Sequence, residues 1–386
     1  MRIAIATDTY LPEINGVTTV LGTIRNGLIR RGYEILVIAP GYPEESGSEP
    51  GVLRRPSMRC PGYPAIRLAV PWAGPLRREL DGFAPDLVHA ATEGPLGSIG
   101  RRWALQRGVP LVTSFHTDFP RYMARYAGDW AVEPTRRYLR RFHARARHTQ
   151  TPSEVTRGEL LALGIPRAVV WGRGVDTRWF TPARRSEVRR RERGMTDRLA
   201  VLHVGRLAVE KDIDCLIRAF VLSHEALGDA ADFCVAGDGP RAEAVRRELP
   251  FARHLGFLDR EALADLYADA DLFVFPSPTE TCGLVALEAM ASGLPVIGAD
   301  AGGVLENLRH GINGLAARAG DPGSFAQAVV ELARDGATRG AMSQAARAFA
   351  AGRDWEGELD ALERLYAAAA APEPQVQHAC QVAVSR

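Results

Sequence analysis

Two glutamates eight residues apart, Glu280 and Glu288, stand in the segment PSPTETCGLVALEAMASG, residues 276–293. The segment reads as a loop followed by a helix. Leu284, Val285, Leu287, Ala289 and Met290 cover nearly every side of that helix, the pattern of a buried helix rather than a surface one. An ionised Glu288 among them is costly unless something pairs with it or hydrogen-bonds to it. A structural ion pair would meet that demand, with Glu280 left as a solvated loop residue. So would polar groups gathered at a site that both glutamates serve.

Cations stand at another strand end. In LHVGRLAVEKD an apolar run closes on Gly205, and Arg206 and Lys211 follow before a helix that starts near Asp212. Two cations and a helix N-terminus suit a diphosphate, because all three favour negative charge; taken alone, they fit a solvated loop equally well. In AGDGP, Gly237 and Gly239 permit a tight turn, and RHLGFLD at 253–259 is a place where backbone groups could meet a nucleobase. SFHTDFPRY puts His116 at a strand end with Asp118 two residues later, although a lone histidine in apolar surroundings is more often structural. TDTYLPEINGVTTVL follows the first strand, and its Asn15 and Gly16 open a helix where the glycine lets a phosphate approach the backbone. No G-x-G-x-x-G stands there, which argues against a dinucleotide-dependent dehydrogenase. The DID at Asp212 to Asp214 resembles a metal-binding D-x-D, but its place at a helix start makes capping the better account.

The elements that must position these residues alternate. RIAIAT, EILVIAP, DLVHAA, PLVTSFH, TQTPS and AVVWGRG read as strands of one sheet, with LRRPSMRCPGYPAIRL an irregular or short-strand interruption. The charged stretch TPARRSEVRRRERGMTDR then reads as a linker and surface helix, after which LAVLHVG, DFCVAGDG, DLFVFPS, LPVIGAD and GLAA restart the pattern. Alternating strands and helices imply α/β architecture with parallel sheets covered on both faces. We therefore expect two Rossmann-like, doubly wound lobes over residues 1–185 and 186–352 facing a cleft, a C-terminal helix at 353–371 packing back toward the first lobe, and a loosely ordered tail at 372–386. Ligands of such sheets bind outside the carboxyl ends of the strands.

Composition bounds the function. With 386 residues, 46% hydrophobic and 24% charged, the chain is an ordinary soluble enzyme by its proportions. A net charge of +2 gives no support to bulk nucleic-acid binding. The odd set Cys60, Cys215, Cys234, Cys282 and Cys380 contains no C-x-x-C pair, so neither a disulfide framework nor a zinc site is expected and a reducing cytoplasm fits best. Met1 runs directly into a strand-like segment rather than a signal peptide, and no apolar run reaches the ~18 residues of a membrane span.

VGRL with EKD, then GDGP, then PSPTETCGLVALEAMASGLPVI, in this order, resemble the nucleotide-binding lobe of the retaining glycosyltransferases of family four, which have the GT-B fold. The likeness covers roughly residues 1 to 350, and the paired glutamates are its most specific part. The resemblance implies transfer of a hexose from a nucleoside diphosphate sugar with retention of configuration and no obligatory metal or other cofactor. It assigns Glu288 to the ribose hydroxyls and Glu280, with the backbone of Cys282, Gly283 and Leu284, to the transferred sugar. Arg206 and Lys211 would stabilise the leaving diphosphate, Gly16 would touch the donor diphosphate or the acceptor, and His116 would reach the sugar. His116, Arg206, Lys211 and Glu280 are thus the catalytic candidates, with Asn15 and Asp118 on the acceptor side.

DTYLPEINGV, FHTDFPRYMARYAG, YLRRFHARA and WGRGVDTRWF look most like bacterial GDP-mannose-dependent mannosyltransferases acting on glycolipids or phosphatidylinositol. They also look like glucosyl- and sulfoquinovosyltransferases that use UDP-sugars, and Cys282 stands where the commoner form has Phe. Residues 121–147 mix Arg with Tyr, Trp and Phe, a composition suited to an anionic membrane surface and equally to a basic helix covering the first lobe. A cytoplasmic protein, peripheral on the inner face of the membrane, is the expectation. Two other classes remain open: a nucleotide-sugar epimerase, distinguished by its product, and a non-catalytic nucleotide-sugar-binding protein, which would leave the donor intact.

Overall fold

The computed structural model describes residues 1–43, 49–60, 63–70, 73–195 and 198–372. Its first sheet contains β1 (Arg2–Ala6), β2 (Glu34–Pro40) and β3 (Val52–Arg55); β4 (Ser57–Cys60) and β5 (Tyr63–Ala69) form a separate antiparallel pair. The first sheet continues with β6 (Leu87–Ala90), β7 (Leu111–Ser114), β8 (His148–Thr151) and β9 (Ala168–Val170). Its seven strands lie in the order β3-β2-β1-β6-β7-β8-β9, all parallel. The second sheet holds β10 (Leu199–Val204), β11 (Ala231–Ala236), β12 (Arg253–Gly256), β13 (Leu272–Phe275), β14 (Val296–Ala299) and β15 (Gly314–Ala317), parallel in the order β12-β11-β10-β13-β14-β15.

Both sheets are doubly wound, so each has a point where the strand order reverses: between β1 and β6 in the first, between β10 and β13 in the second. Loops leaving neighbouring strands there run to opposite faces and open a crevice at the carboxyl edge. The loops after β1, β10 and β13 carry Gly16, Arg206 and Lys211, and Glu280. Burial on both faces explains the continuous apolar runs of most strands. Strand β8, HTQT, is equally buried but polar. Thr149 meets Thr113 at 2.9 Å, while His89 is bonded to Ser114 at 2.6 Å and to Tyr366 at 2.7 Å, so the polar groups beneath this part of the sheet find partners inside the protein.

Three features differ in part from the sequence reading. Val175 and Phe180 pack into the core of the second lobe, so the chain crosses before Val175 rather than at residue 185. The linker helix Glu187–Glu192 is a surface helix, with Glu187, Val188, Arg191 and Glu192 exposed, but one side is anchored: Arg190 is 3% exposed and donates to the Asp269 carbonyl, while Arg189 and Arg193 hold the fully buried Asp269 carboxylate at 2.8 and 3.0 Å. A buried carboxylate demands such pairing, and removing one side leaves an uncompensated charge. Asp212 takes the N-cap position of helix Ile213–Leu227, with the Cys215 amide acting on its carboxyl, but in the left-handed conformation at φ 54° rather than the extended one usual for a cap.

The helix Trp355–Ala370 lies on the first lobe, where Leu359, Leu362 and Tyr366 share a core with Ile3, Ile24 and Trp171. The expected loose tail lies, apart from Pro372, outside the described residues.

Loop placement at the second crevice depends on glycine. A Cβ on Gly237, at φ 136°, would stand 1.9 Å from the Gly205 carbonyl oxygen. Gly237→Ala therefore has to displace the strand end that carries Arg206. It is expected to cost on the order of 3 kcal/mol, against ~1 kcal/mol for Gly32→Ala, which has positive φ but open space around it. Thermal melts of the two variants check this; equal shifts in Tm would contradict it.

Candidate active site

On the second lobe, β10 delivers Arg206 one residue beyond Gly205, half-buried at the crevice. Lys211 ends a single 3-10 turn, Val209–Lys211, and its ammonium is ion-paired with Glu280 Oε1. Ser277 Oγ donates to the same oxygen at 3.3 Å. Burial alone would lower the Lys211 pKa, but the adjoining Glu280 carboxylate outweighs it and the ammonium is held charged, its pKa raised. The preceding residue, Glu210, is buried; its carbonyl accepts from Thr279 Oγ1 at 2.8 Å, tying the turn to the loop that carries Glu280.

That loop, residues 276–283, is braced from below. Gly303 N donates to the Glu280 carbonyl at 2.6 Å, and a Cβ on Gly303 would lie 2.0 Å from the Thr281 carbonyl oxygen. Gly283, at φ 73°, turns the chain into helix Leu284–Ala291, whose first amides have no acceptor within the helix. Cys282 is buried, its carbonyl accepts from Asn307 Nδ2 at 2.9 Å, and burial pushes its thiol up to about 11, which leaves it unsuited as a nucleophile at neutral pH.

Glu288 contrasts with Glu280. Its one hydrogen-bond contact among the described residues is Tyr267 Oη at 3.4 Å, and no cation stands within ion-pairing distance there. Arg260 acts on it only at longer range. Desolvation, opposed weakly by Tyr267 and Arg260, raises its pKa to about 7. The structure thus answers one alternative left open by the sequence: Glu288 is not half of a buried ion pair. It is a carboxylate with most of its acceptor capacity unspent.

On the first lobe, His116 follows β7. Its Nδ1 lies 3.3 Å from an Arg173 guanidinium nitrogen, and its Nε2 is buried with no partner among the described residues. Burial first, then the Arg173 charge, keeps the imidazole neutral, its pKa well below the ordinary range. Asp118 is also buried; it caps helix Phe119–Tyr126 through Arg121 N at 3.2 Å and pairs with the Arg121 guanidinium at 3.0 Å. Asn15 closes a capping box with Thr18 at the start of helix Gly16–Arg30, and its amide nitrogen donates to Thr9 and Glu13, both at 2.9 Å. The two acceptor-side candidates are therefore engaged in folding their own loops. Gly16 itself is exposed, and a Cβ built there would touch Leu284 of the opposite lobe at 3.5 Å.

The lobes meet around these groups. Thr281 Oγ1 donates to the His116 carbonyl at 2.9 Å, Arg121 donates to the Pro278 carbonyl at 3.3 Å, and Arg125 donates to the Val209 carbonyl at 2.7 Å. Tyr126 Oη donates to Glu210 Oε2 at 2.5 Å. His116, Gly16, Lys211, Glu280 and Leu284 are thereby gathered at one interface between lobes. Arg173, Tyr267 and Gly303 were not singled out by the sequence reading. The only signals are an arginine between two glycines just beyond a strand, in WGRGVD, and the glycine pair of ADAGG. Among the described residues no helix is long and apolar enough to cross a membrane.

Known proteins resemble this chain in sequence and in fold. Residues 14–179 match the family described as Glycosyltransferase Family 4, and residues 198–335 match Glycosyl transferases group 1. The chain is 35% identical over 373 residues to a GDP-mannose-dependent alpha-mannosyltransferase of Mycobacterium tuberculosis (strain CDC 1551 / Oshkosh), covering 94% of this chain and 95% of that protein. It is 34% identical over 338 residues to the sulfoquinovosyl transferase SQD2 of Arabidopsis thaliana, covering 84% and 65% respectively. Among solved structures, Anabaena Alr3699/HepE in complex with UDP and glucose superposes with a TM-score of 0.77 at 20% identity, over 95% of this chain and 99% of that one, a likeness of fold. The two doubly wound lobes are those of the GT-B fold, and the chain, a glycosyltransferase, belongs to glycosyltransferase family 4.

Proposed function

We propose that this enzyme transfers mannose from GDP-mannose, with retention of anomeric configuration, to a glycolipid or phosphatidylinositol-type acceptor. The observation that carries the donor reading is Glu288, a half-buried carboxylate without a cation, eight residues after a Glu280 that already has one. Ribose hydroxyls supply the donors that such a group lacks. Glu280 and the backbone at Cys282, Gly283 and Leu284 then take the sugar, with His116 Nε2 donating to it from the other lobe. Arg206 and Lys211 receive the negative charge that builds on the departing diphosphate, and Gly16 lets it approach the first lobe. Two cations suffice for that charge, so no obligatory metal is part of the proposal. Neither glutamate serves as a nucleophile, since one is bound to Lys211 and the other to the ribose. Asn15 and Asp118 act on the acceptor through the loops they cap.

Mannose is favoured by the similarity to GDP-mannose-dependent enzymes over nearly the whole chain. A second reading, glucosyl or sulfoquinovosyl transfer from a UDP-sugar, draws on the similarity to the sulfoquinovosyl transferase and on the smaller Cys282 beside the sugar.

The acceptor side includes residues 121–147. Helix Val132–His143 buries its Leu139 and Phe142 in the first lobe, so it does not lie in a membrane with its apolar face. What remains outside is basic, with Arg136, Arg137, Arg141 and Arg145 exposed and Trp130 76% exposed. We propose that this face rests on anionic lipid by charge, with Trp130 as its aromatic anchor.

Calorimetry with GDP-mannose and UDP-glucose tests the donor. GDP-mannose is expected to bind at least about tenfold more tightly, and its affinity to fall roughly tenfold per pH unit below pH 7, because the hydroxyls bind the ionised Glu288 and its proton must first leave. Glu288→Gln is expected to flatten that pH dependence. A preference for UDP-glucose would favour the second reading.

Arg206→Ala is expected to lower turnover by roughly 100-fold, while a chelator leaves the wild-type rate unchanged; loss of activity in chelator would contradict the metal-free proposal. Flotation with vesicles containing phosphatidylglycerol should show binding that weakens with salt and with Trp130→Ala, whereas salt-independent binding would contradict the charged-face reading.

A further inference from the structure

We infer that Arg173 is a positioning residue for transfer, fixing His116 as the tautomer whose proton sits on Nε2. The inference rests on the role given to His116 under the proposed function. Arg173 is 3% exposed and its terminal nitrogens are already turned to Trp171, Gly172 and His116, so it acts through His116 rather than on the substrate. It stands in the loop beyond β9, with its cation 4.4 Å from the centre of the Trp171 ring. One guanidinium nitrogen donates to the carbonyls of Trp171 and Gly172 at 2.8 and 2.9 Å, and the other faces His116 Nδ1 at 3.3 Å.

The chemistry of the pair sets the tautomer. A guanidinium has donors and no acceptor, so the nitrogen it faces must be unprotonated. A neutral imidazole with a bare Nδ1 carries its hydrogen on Nε2, and Nε2 is the buried nitrogen without a partner among the described residues. His116 is thereby made a hydrogen-bond donor toward the transferred sugar. The Arg173 charge further opposes a second proton on the ring. The ionisable groups around this pair are His89 from β6, Cys282 from the sugar-side loop, and Glu358 and Tyr366 from the C-terminal helix. The positions of His116 and the sugar-side loop are coupled as well, through the bond from Thr281 to the His116 carbonyl.

Arg173→Met removes charge and donor together; Arg173→Gln removes the charge and keeps a donor. Turnover of GDP-mannose, affinity for GDP, and nitrogen-15 NMR of the His116 ring, identified as the signal lost in His116→Ala, are the readouts. The wild-type ring is expected to show the proton on Nε2. Arg173→Met is expected to give mixed tautomers and turnover lower by about 10- to 100-fold, with GDP affinity within about twofold and no further loss on the His116→Ala background. Arg173→Gln is expected to recover turnover by about tenfold over Arg173→Met. A wild-type ring protonated on Nδ1 overturns the inference without any variant, as does a loss in Arg173→Met that is as large on His116→Ala as on wild type. Normal turnover in His116→Ala would instead sink the role of His116 on which the inference stands.

Discussion

A carboxylate taken partly out of water must be answered by a cation, by hydrogen-bond donors or by a proton, and the second lobe answers its two glutamates differently. Glu280 receives the Lys211 ammonium and the Ser277 hydroxyl. Among the described residues Glu288 receives only a long contact from Tyr267, and desolvation raises its pKa to about 7. The difference follows from position. Glu280 stands in a loop that a neighbouring turn can reach, while Glu288 projects from a helix whose other faces are packed with Ala286, Leu287, Ala289 and Met290. A helix so apolar has no room for a second charged side chain, so the helix itself supplies Glu288 with no cation.

The rest of the structure keeps that cleft in register. Gly237 and Gly303 allow backbone segments to approach more closely than a Cβ permits, and so fix the Arg206 strand end and the Glu280 loop. The basic segment of the first lobe grips the same two pieces of the second: Arg121 holds the Pro278 carbonyl, while Arg125 and Tyr126 hold Val209 and Glu210 just before Lys211. The helix Phe119–Tyr126, which precedes the exposed basic helix Val132–His143, therefore bears directly on the turn that carries a catalytic candidate. The C-terminal helix closes the circuit, since Tyr366 bonds to His89 and the Glu358 carbonyl accepts from Trp171, two residues before the arginine behind His116.

Much of this was legible in the chain itself. Continuous apolar runs such as EILVIAP and DLFVFPS marked buried parallel strands, and VGRL, GDGP and the paired glutamates, in that order, marked the family. Features that depend on contacts distant in sequence were not legible. Arg190 lies in RRRER, which looks solvated until Asp269 is brought under it, and Arg173 gains meaning only when β9 is laid two strands away from β7. The capping bonds of Asn15 and Asp118 were legible in the sequence as well. Both stand directly before helices, where a short polar side chain is a cap by local chemistry, and Asn15 has Thr18 three residues on. The crossover before Val175 was hidden because the charged stretch after Phe180 looked like the natural boundary.

The proposed function stands on recognition of the hydroxyls of a nucleotide ribose by Glu288. The most direct measurement is calorimetry of GDP or UDP, whichever binds more tightly, against its 2′,3′-dideoxy analogue, on wild type and on Glu288→Ala. Losing the hydroxyls is expected to weaken binding to the wild type by roughly tenfold or more and to leave binding to the variant nearly unchanged. An equal loss in both proteins, or none in the wild type, would mean that the carboxylate serves something other than the ribose.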